Sequence, residues 1–80
     1  MSLNIRVITK NKTIYADKVK MAQFPGIDGL FGVLNNHAPM VYVLKKGSIK
    51  VTKSDDKEQF IEIDGGLVEV FNNEIVVLAD

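Results

Sequence analysis

The sequence predicts an all-β fold, an antiparallel β-sandwich in preference to a small barrel, and three observations support this. β-Branched residues, which pack well on a pleated surface, make up 21 of the 80 residues. Apolar and polar residues alternate in several short runs, as in strands buried on one face. Glycine, proline and asparagine recur too often for long helices, and strands separated by such closely spaced turns are typical of sandwiches and barrels.

The first half of the chain contains five predicted strands. Leu3, Ile5 and Val7 alternate with polar residues, and Lys10-Asn11-Lys12 is expected to turn the chain. Phe24-Pro25-Gly26 is expected to end a strand, because proline cannot donate to a sheet ladder. The strands after the first are predicted at residues 13–15, 17–23, 31–34 and 40–44, and the last of these is nearly all apolar and is expected to cross the core.

The second half follows the same pattern. Lys45-Lys46-Gly47 and Ser54–Lys57 are predicted turns, and Gly65-Gly66 is a predicted tight bend or bulge. Asn72-Asn73 is a predicted two-residue turn, since asparagine tolerates the left-handed region better than most residues. The strands between these breaks are predicted at residues 48–53, 59–63, 67–71 and 74–78, with Ile49 and Val51 facing inward.

Composition limits the classes of function. Ten basic and ten acidic residues give zero net charge, which argues against nucleic acid as the main partner because phosphate binding needs clustered cations. The chain has no cysteine and one histidine, so we expect no metal ion, no cofactor and no catalytic residue. No run of about 18 apolar residues is present, and residues 1–80 are expected to form a single domain.

Two candidate sites are weak when taken alone. The glycines of Pro25–Gly32 lack the lysine and hydroxyl of a phosphate loop, so they are expected to serve tight turns and close backbone approach. His37 lies in a loop, and none of the serines occupies a nucleophile elbow. Two alternatives remain open, a small β-domain that binds or hydrolyses a ligand with His37 and Asp28 or Glu69, and an oligonucleotide-binding barrel.

Two longer stretches carry a resemblance to a known family. Phe24–Met40 contains a Pro-Gly, a Gly-x-x-Gly and a His-Ala-Pro in the order and spacing found in the epsilon subunit of F-type ATP synthases. Ile63–Val70 and Ile75–Asp80 are similar to that family's Ser-Gly-Gly-Phe-Leu-Glu-Val and Val-Thr-Val-Leu-Ala-Asp segments. The resemblance extends over nearly the whole chain.

This resemblance implies a ten-stranded sandwich at the foot of the central stalk. Such a non-catalytic rotor subunit would bind the gamma subunit and the polar loops of the c-ring, couple proton translocation to ATP synthesis, and lie peripherally on the cytoplasmic face of a bacterial membrane. The residues expected at the partner interface lie in two loops: Asp28, Gly29, Leu30, Gly32, Asn36, His37, Ala38, Pro39 and Met40.

The sequence departs from the family pattern in three places. Asn35-Asn36 replaces a Pro-Gly, and asparagine can keep the same left-handed turn. Leu30 stands where many members have a carboxylate, which Asp28 could supply instead. The family's C-terminal helical hairpin is missing after Asp80, so we expect neither inhibition of ATP hydrolysis nor nucleotide binding.

Overall fold

The computed structural model describes residues 3–80, which form seven β-strands and no helix. The strands are β1 (Leu3–Thr9), β2 (Lys12–Val19), β3 (Met21–Gly26), β4 (Gly29–Leu34), β5 (Met40–Thr52), β6 (Glu58–Phe71) and β7 (Glu74–Ala79). They are hydrogen-bonded in the order β2-β1-β7-β6-β5-β3-β4. The predicted all-β class is confirmed, with seven strands in place of about ten. Within this part of the chain there is no helix of the length and apolarity needed to cross a membrane.

β5 and β6 explain most of the difference in strand number. Residues 45–47 do not turn the chain but continue β5, and Gly65-Gly66 continues β6. Gly65 and Gly66 have φ angles of 129° and 143°, which let β6 bend while the pairs Leu44↔Gly66 and Lys45↔Gly65 are kept. The predicted turn at Lys45-Lys46-Gly47 is therefore wrong, because glycines in the partner strand allow both strands to bend together.

The predicted strand end at Phe24-Pro25-Gly26 is also wrong, since these residues belong to β3. β3 pairs with β4 without interruption from Met21↔Leu34 to Gly26↔Gly29. Its register with β5 is broken between Gln23 and Gly26, the stretch that contains Pro25. Because proline has no N–H to donate, the missing ladder bond is confined to the β5 side and the strand continues.

The bend in β5 and β6 folds the sheet into two layers. In β5 the inward residues are even-numbered before the bend, ending at Leu44, and odd-numbered after it, at Ile49 and Val51. β6 shows the reverse change, from Ile63 to Val68. Side chains alternate between the faces of a strand, so this change of parity marks the crossing from one layer to the other. One layer holds β2, β1, β7 and residues 66–71 and 40–45, and the other holds 58–63, 47–52, β3 and β4.

The core lies between the two layers and is entirely apolar. Its largest side chain is Phe24, which is fully buried. No polar or charged side chain is buried within residues 3–80. The core comprises Leu3, Ile5, Val7, Val19, Ala22, Phe24, Val33, Leu44, Ile49, Val51, Ile63, Val68, Val70, Ile75 and Val77. The predicted inward residues of the first strand and of the strand at 48–53 are all in this set.

Residues with positive φ angles close the tight turns. Lys10 and Asn11, at 50° and 62°, join β1 to β2, and Asn72 and Asn73, at 49° and 61°, join β6 to β7. Both turns were predicted at these positions. β1 and β7 pair in parallel, with Ile5 opposite Ile75, so the sheet is not antiparallel throughout. This long-range pair joins the two ends of the chain and completes the first layer.

Candidate functional site

The two predicted interface loops meet at one end of the sandwich. The β3–β4 hairpin closes on the pair Gly26↔Gly29, and Gly29 has a φ angle of 134° that glycine adopts without strain. The loop between β4 and β5 lies beside this hairpin. Together they border an open cavity of about 340 Å³ that is lined by Asp28, Gly29, Leu30, Phe31, Gly32, His37, Met40 and Tyr42. Six of these eight residues are among those expected at the partner interface.

Aromatic side chains form the floor of this cavity. Phe31 lies between Phe24 and Tyr42, with ring centroids 5.5 Å and 5.3 Å away. The Phe31–Tyr42 pair is edge-to-face, a favourable geometry for two rings. Phe24 is fully buried, whereas Phe31 and Tyr42 are half-buried. The cavity is thus the point where the apolar core opens toward solvent.

Asp28 is held by a residue that the sequence did not indicate. The Tyr42 hydroxyl donates a hydrogen bond of 2.6 Å to the Asp28 Oδ2 atom. This bond to a carboxylate, followed by partial desolvation, raises the pKa of Tyr42 above its usual value. The bond joins the β3–β4 hairpin to β5 and leaves the carboxylate exposed at the rim of the cavity. Tyr42 lies on the same half-buried face of β5 as Met40, with the exposed Val41 between them. This period-2 pattern is the sequence signal that could have identified Tyr42.

The loop that contains His37 is fixed to the turn between β6 and β7. Asn36, at a φ angle of 64°, donates its backbone N–H to the Asn73 Oδ1 atom over 2.7 Å. The Nδ1 atom of His37 donates to the carbonyl oxygen of Ala38 over 2.7 Å. A second hollow of about 410 Å³ is lined by Asn36, His37, Pro39, Asn72 and Asn73. His37 therefore separates the two cavities, while Ala38 lines neither.

This arrangement offers binding rather than acid–base chemistry. His37 and Asp28 both line the first cavity, but each is hydrogen-bonded to another neighbour, Ala38 and Tyr42 respectively. Glu69, the other acid considered with His37, lies on β6 opposite Val41 and lines neither cavity. Among residues 3–80, no three histidine, aspartate or glutamate side chains are close enough to share a metal ion.

A second exposed surface lies on the outer face of the first layer. Val43 is opposite Leu67, and Leu67 is opposite Leu78, so three adjacent strands present one apolar row. These side chains are 47%, 43% and 54% exposed. They also line a shallow hollow of about 490 Å³ near Asp80. Contiguous exposed apolar side chains of this kind mark surfaces that contact other molecules.

Comparison with known proteins shows which family has this sequence pattern and fold. The family model for the β-sandwich domain of the ATP synthase delta/epsilon chain matches residues 2–80. The ATP synthase epsilon chain of Chlorobium limicola is 32% identical over 79 residues, which cover 99% of this chain and 90% of that relative. The epsilon chain of Leptospira borgpetersenii is 38% identical over 78 residues, or 98% of this chain and 61% of the relative.

A third relative, the epsilon chain of Polynucleobacter necessarius, is 30% identical over 79 residues, which are 99% of this chain. The chain spans 57% of that relative's length. Among solved structures, a Euglena gracilis mitochondrial ATP synthase (OSCP/F1/c-ring) contains a chain with a TM-score of 0.91 at 20% identity, covering 98% of this chain and 50% of that one. A Tetrahymena thermophila mitochondrial ATP synthase central stalk/c-ring structure contains a chain with a TM-score of 0.78 at 15% identity. The match covers 99% of this chain and 63% of that one. Both show the same fold.

Proposed function

The chain belongs to the family of ATP synthase delta/epsilon chains, through their β-sandwich domain, and on this premise we propose that it is a non-catalytic central-stalk subunit. In this role it links the gamma subunit to the c-ring and couples proton translocation to ATP synthesis. It forms one domain and lies peripherally at the cytoplasmic face of the membrane. The observation that carries the proposal is the family match over residues 2–80, together with the meeting of both family loops on one surface.

The end of the sandwich supports a contact with the polar loops of the c-ring. Asp28 and His37 provide polar groups there, and Gly29 and Gly32 allow close backbone approach. Asp28 is two positions before Leu30, where many relatives have a carboxylate, and its bond to Tyr42 fixes it at the rim. The charge that the family pattern leads us to expect is therefore available from a neighbouring position.

The apolar row of Val43, Leu67 and Leu78 supports a contact with the gamma subunit. Permanent interfaces have apolar centres that resemble a domain core, and this row is an exposed apolar surface of that kind. It lies on the outer face of the first layer, separate from the two loops at the end of the sandwich. A subunit with two distinct contact surfaces can be held between two partners.

The test is binding to a gamma subunit from the same organism, measured by size exclusion and calorimetry at micromolar concentrations. The wild-type chain is expected to co-elute with gamma, and Leu67→Lys is expected to weaken binding at least tenfold because it places a charge in the centre of the row. Phe60→Lys is the matched control, since Phe60 is 62% exposed on the other layer.

Failure of the wild-type chain to bind gamma would overturn the proposed function. If Leu67→Lys and Phe60→Lys bind as tightly as the wild type, gamma does not occupy the apolar row. Thermal melting of both variants verifies that they are folded.

A further inference from the structure

β4 forms one edge of the sheet and has unused backbone groups. Among residues 3–80 it pairs with β3 alone, from Met21↔Leu34 to Gly26↔Gly29. In an antiparallel ladder, alternate residues direct their N–H and C=O groups toward the neighbouring strand and the others direct them away. The pair Gly26↔Gly29 closes a two-residue hairpin, and the closing pair of such a hairpin is hydrogen-bonded. Counting from Gly29, alternate residues of β4 bond to β3. The residues between them, Leu30, Gly32 and Leu34, direct their backbone groups outward. Of these, the Leu34 carbonyl accepts a bond from the His37 N–H.

The two edges of the sheet differ in how they are protected. β2, the opposite edge, carries Lys12, Asp17 and Lys18, and the Asp17 carboxylate accepts a bond of 2.8 Å from the Lys18 N–H. Charged side chains and capped amides of this kind prevent an edge from pairing with other chains. β4 has the sequence Gly-Leu-Phe-Gly-Val-Leu and contains neither a charge nor a proline. It therefore has none of the usual protections.

The free edge of β4 lies next to the apolar cavity. Leu30, Phe31 and Gly32 of this strand line it, and Met40 and Tyr42 provide the opposite wall. Leu30 and Leu34 are 67% and 57% exposed beside the edge. In strand addition, backbone bonds supply affinity and side-chain cavities supply specificity, and both elements are present here.

We propose that the β4 edge and this cavity form a strand-addition site for an extended, uncharged segment of another protein, which inserts one large apolar side chain between Phe31, Met40 and Tyr42. This inference does not depend on the proposed function, because it follows from the edge, its composition and the cavity.

A different protein fits this site better than a second copy of the chain. Two copies paired through β4 would each contribute an edge of six residues, about 20 Å long. The inward side chains of that strand, Phe31 and Val33, already pack in their own sandwich, so they are not free to enter the cavity of the other copy. Strand pairing alone would bury much less than the roughly 1,200 Å² of a stable interface.

The test uses the ¹⁵N-labelled chain and the capped peptide Thr-Val-Thr-Leu-Thr-Val-Thr at millimolar concentrations. In the free chain, the amides of Leu30, Gly32 and Leu34 are expected to exchange with solvent faster than those of Phe31 and Val33. Addition of the peptide is expected to slow exchange at the three outward positions by at least tenfold. A peptide with glutamate in place of the central leucine is expected to bind at least tenfold more weakly, since a carboxylate gains nothing from the apolar walls and is repelled by Asp28 at the rim.

Gly32→Pro supplies an independent variant. The N–H of Gly32 points outward and its φ angle is not positive, so proline removes a donor from the free edge without breaking a bond to β3. A Cβ atom at this position would meet only the Ala22 carbonyl oxygen, at 3.9 Å. We expect Gly32→Pro to lose peptide binding and Gly32→Ala, which keeps the N–H, to retain it.

Each result decides the proposal. Protection at the three outward amides that is lost in Gly32→Pro supports it. No protection at millimolar peptide, or equal binding of the glutamate peptide, overturns it. Protection that appears without peptide as the protein concentration rises would show self-pairing and overturn the choice of occupant. If Gly32→Pro does not melt cooperatively, the exchange pattern and the two peptides still decide.

Discussion

The bend in β6 requires both an unusual backbone angle and close packing at Gly66. Gly→Ala substitution at Gly66 and at two comparison glycines separates the cost of backbone strain from the cost of steric overlap. Gly32 has no positive φ and open space around its Cβ position. Gly29 has a φ angle of 134° and nothing within 4 Å of that position. Gly66 has a φ angle of 143°, and an added Cβ would overlap the Leu78 carbonyl oxygen and crowd Ala79 Cα at 2.9 Å. The series therefore adds backbone strain first and steric overlap second.

The expected losses follow this order. Gly32→Ala should change the free energy of unfolding by no more than about 0.5 kcal/mol, as at other open surface positions. Gly29→Ala should cost about 1–3 kcal/mol, the range for a residue held in a sparsely populated backbone region. Gly66→Ala should cost more than about 4 kcal/mol, because β7 must also move away from β6. An 80-residue domain has roughly 4–12 kcal/mol of stability in total.

The assay is urea unfolding with thermal melting as a second probe. In a domain of this size 1 kcal/mol shifts Tm by about 4–8 °C, so Gly29→Ala should melt about 5–20 °C lower than the wild type. Gly66→Ala should melt at least about 16 °C lower than the wild type. If Gly66→Ala melts within 5 °C of Gly29→Ala, the bend relaxes easily and the overlap argument is refuted. If Gly29→Ala behaves like Gly32→Ala, the strain argument fails.

Two further predictions concern contacts that join the layers and the loops. The Lys53 ammonium, 2.8 Å from the Asp17 carboxylate, and then the Lys18 N–H hold the pKa of Asp17 below its usual value. The contribution of Asp17 to stability is therefore fully present above a pH of about 4 and is lost as pH falls through the lowered pKa. Asp17→Asn should make stability depend less on pH on the acid side. Thermal melting between a pH of about 2 and about 7 measures this. Asn73→Gly keeps the positive φ but removes the bond to the Asn36 N–H. It should cost about 0.5–1.5 kcal/mol and speed exchange of the Asn36 amide, and unchanged exchange there would contradict this role.

Most of the residues that the resemblance to epsilon chains leads us to expect at a partner interface lie close together in the structure. Four of these residues lie in the β3–β4 hairpin and two lie after the end of β4, yet all six line one cavity. Phe31 and Tyr42 were not identified because their part in the site depends on ring contacts across two strands. Asn73 was predicted only as a turn residue, and its bond to Asn36 joins positions 37 residues apart.

Local residue chemistry was enough to locate the turns that contain asparagine and the inward faces of two strands. Asn11, Asn36, Asn72 and Asn73 all have the positive φ angles that asparagine tolerates, and Ile49 and Val51 face the core as their alternation predicted. These features depend on the backbone preferences of single residues and on the two-residue period of a strand, which neighbouring residues determine.

Only the tertiary structure decided where strands continue, which edges stay open and where the core opens. The bend at Gly65-Gly66 keeps its ladder because β5 bends with it, and β1 pairs with β7 across about 70 residues of chain. β4 is an edge because, in the part of the chain that the structure describes, β3 is its one neighbouring strand. Each of these outcomes depends on pairing between distant segments, which the free energy of the whole packed sandwich selects and no local pattern encodes.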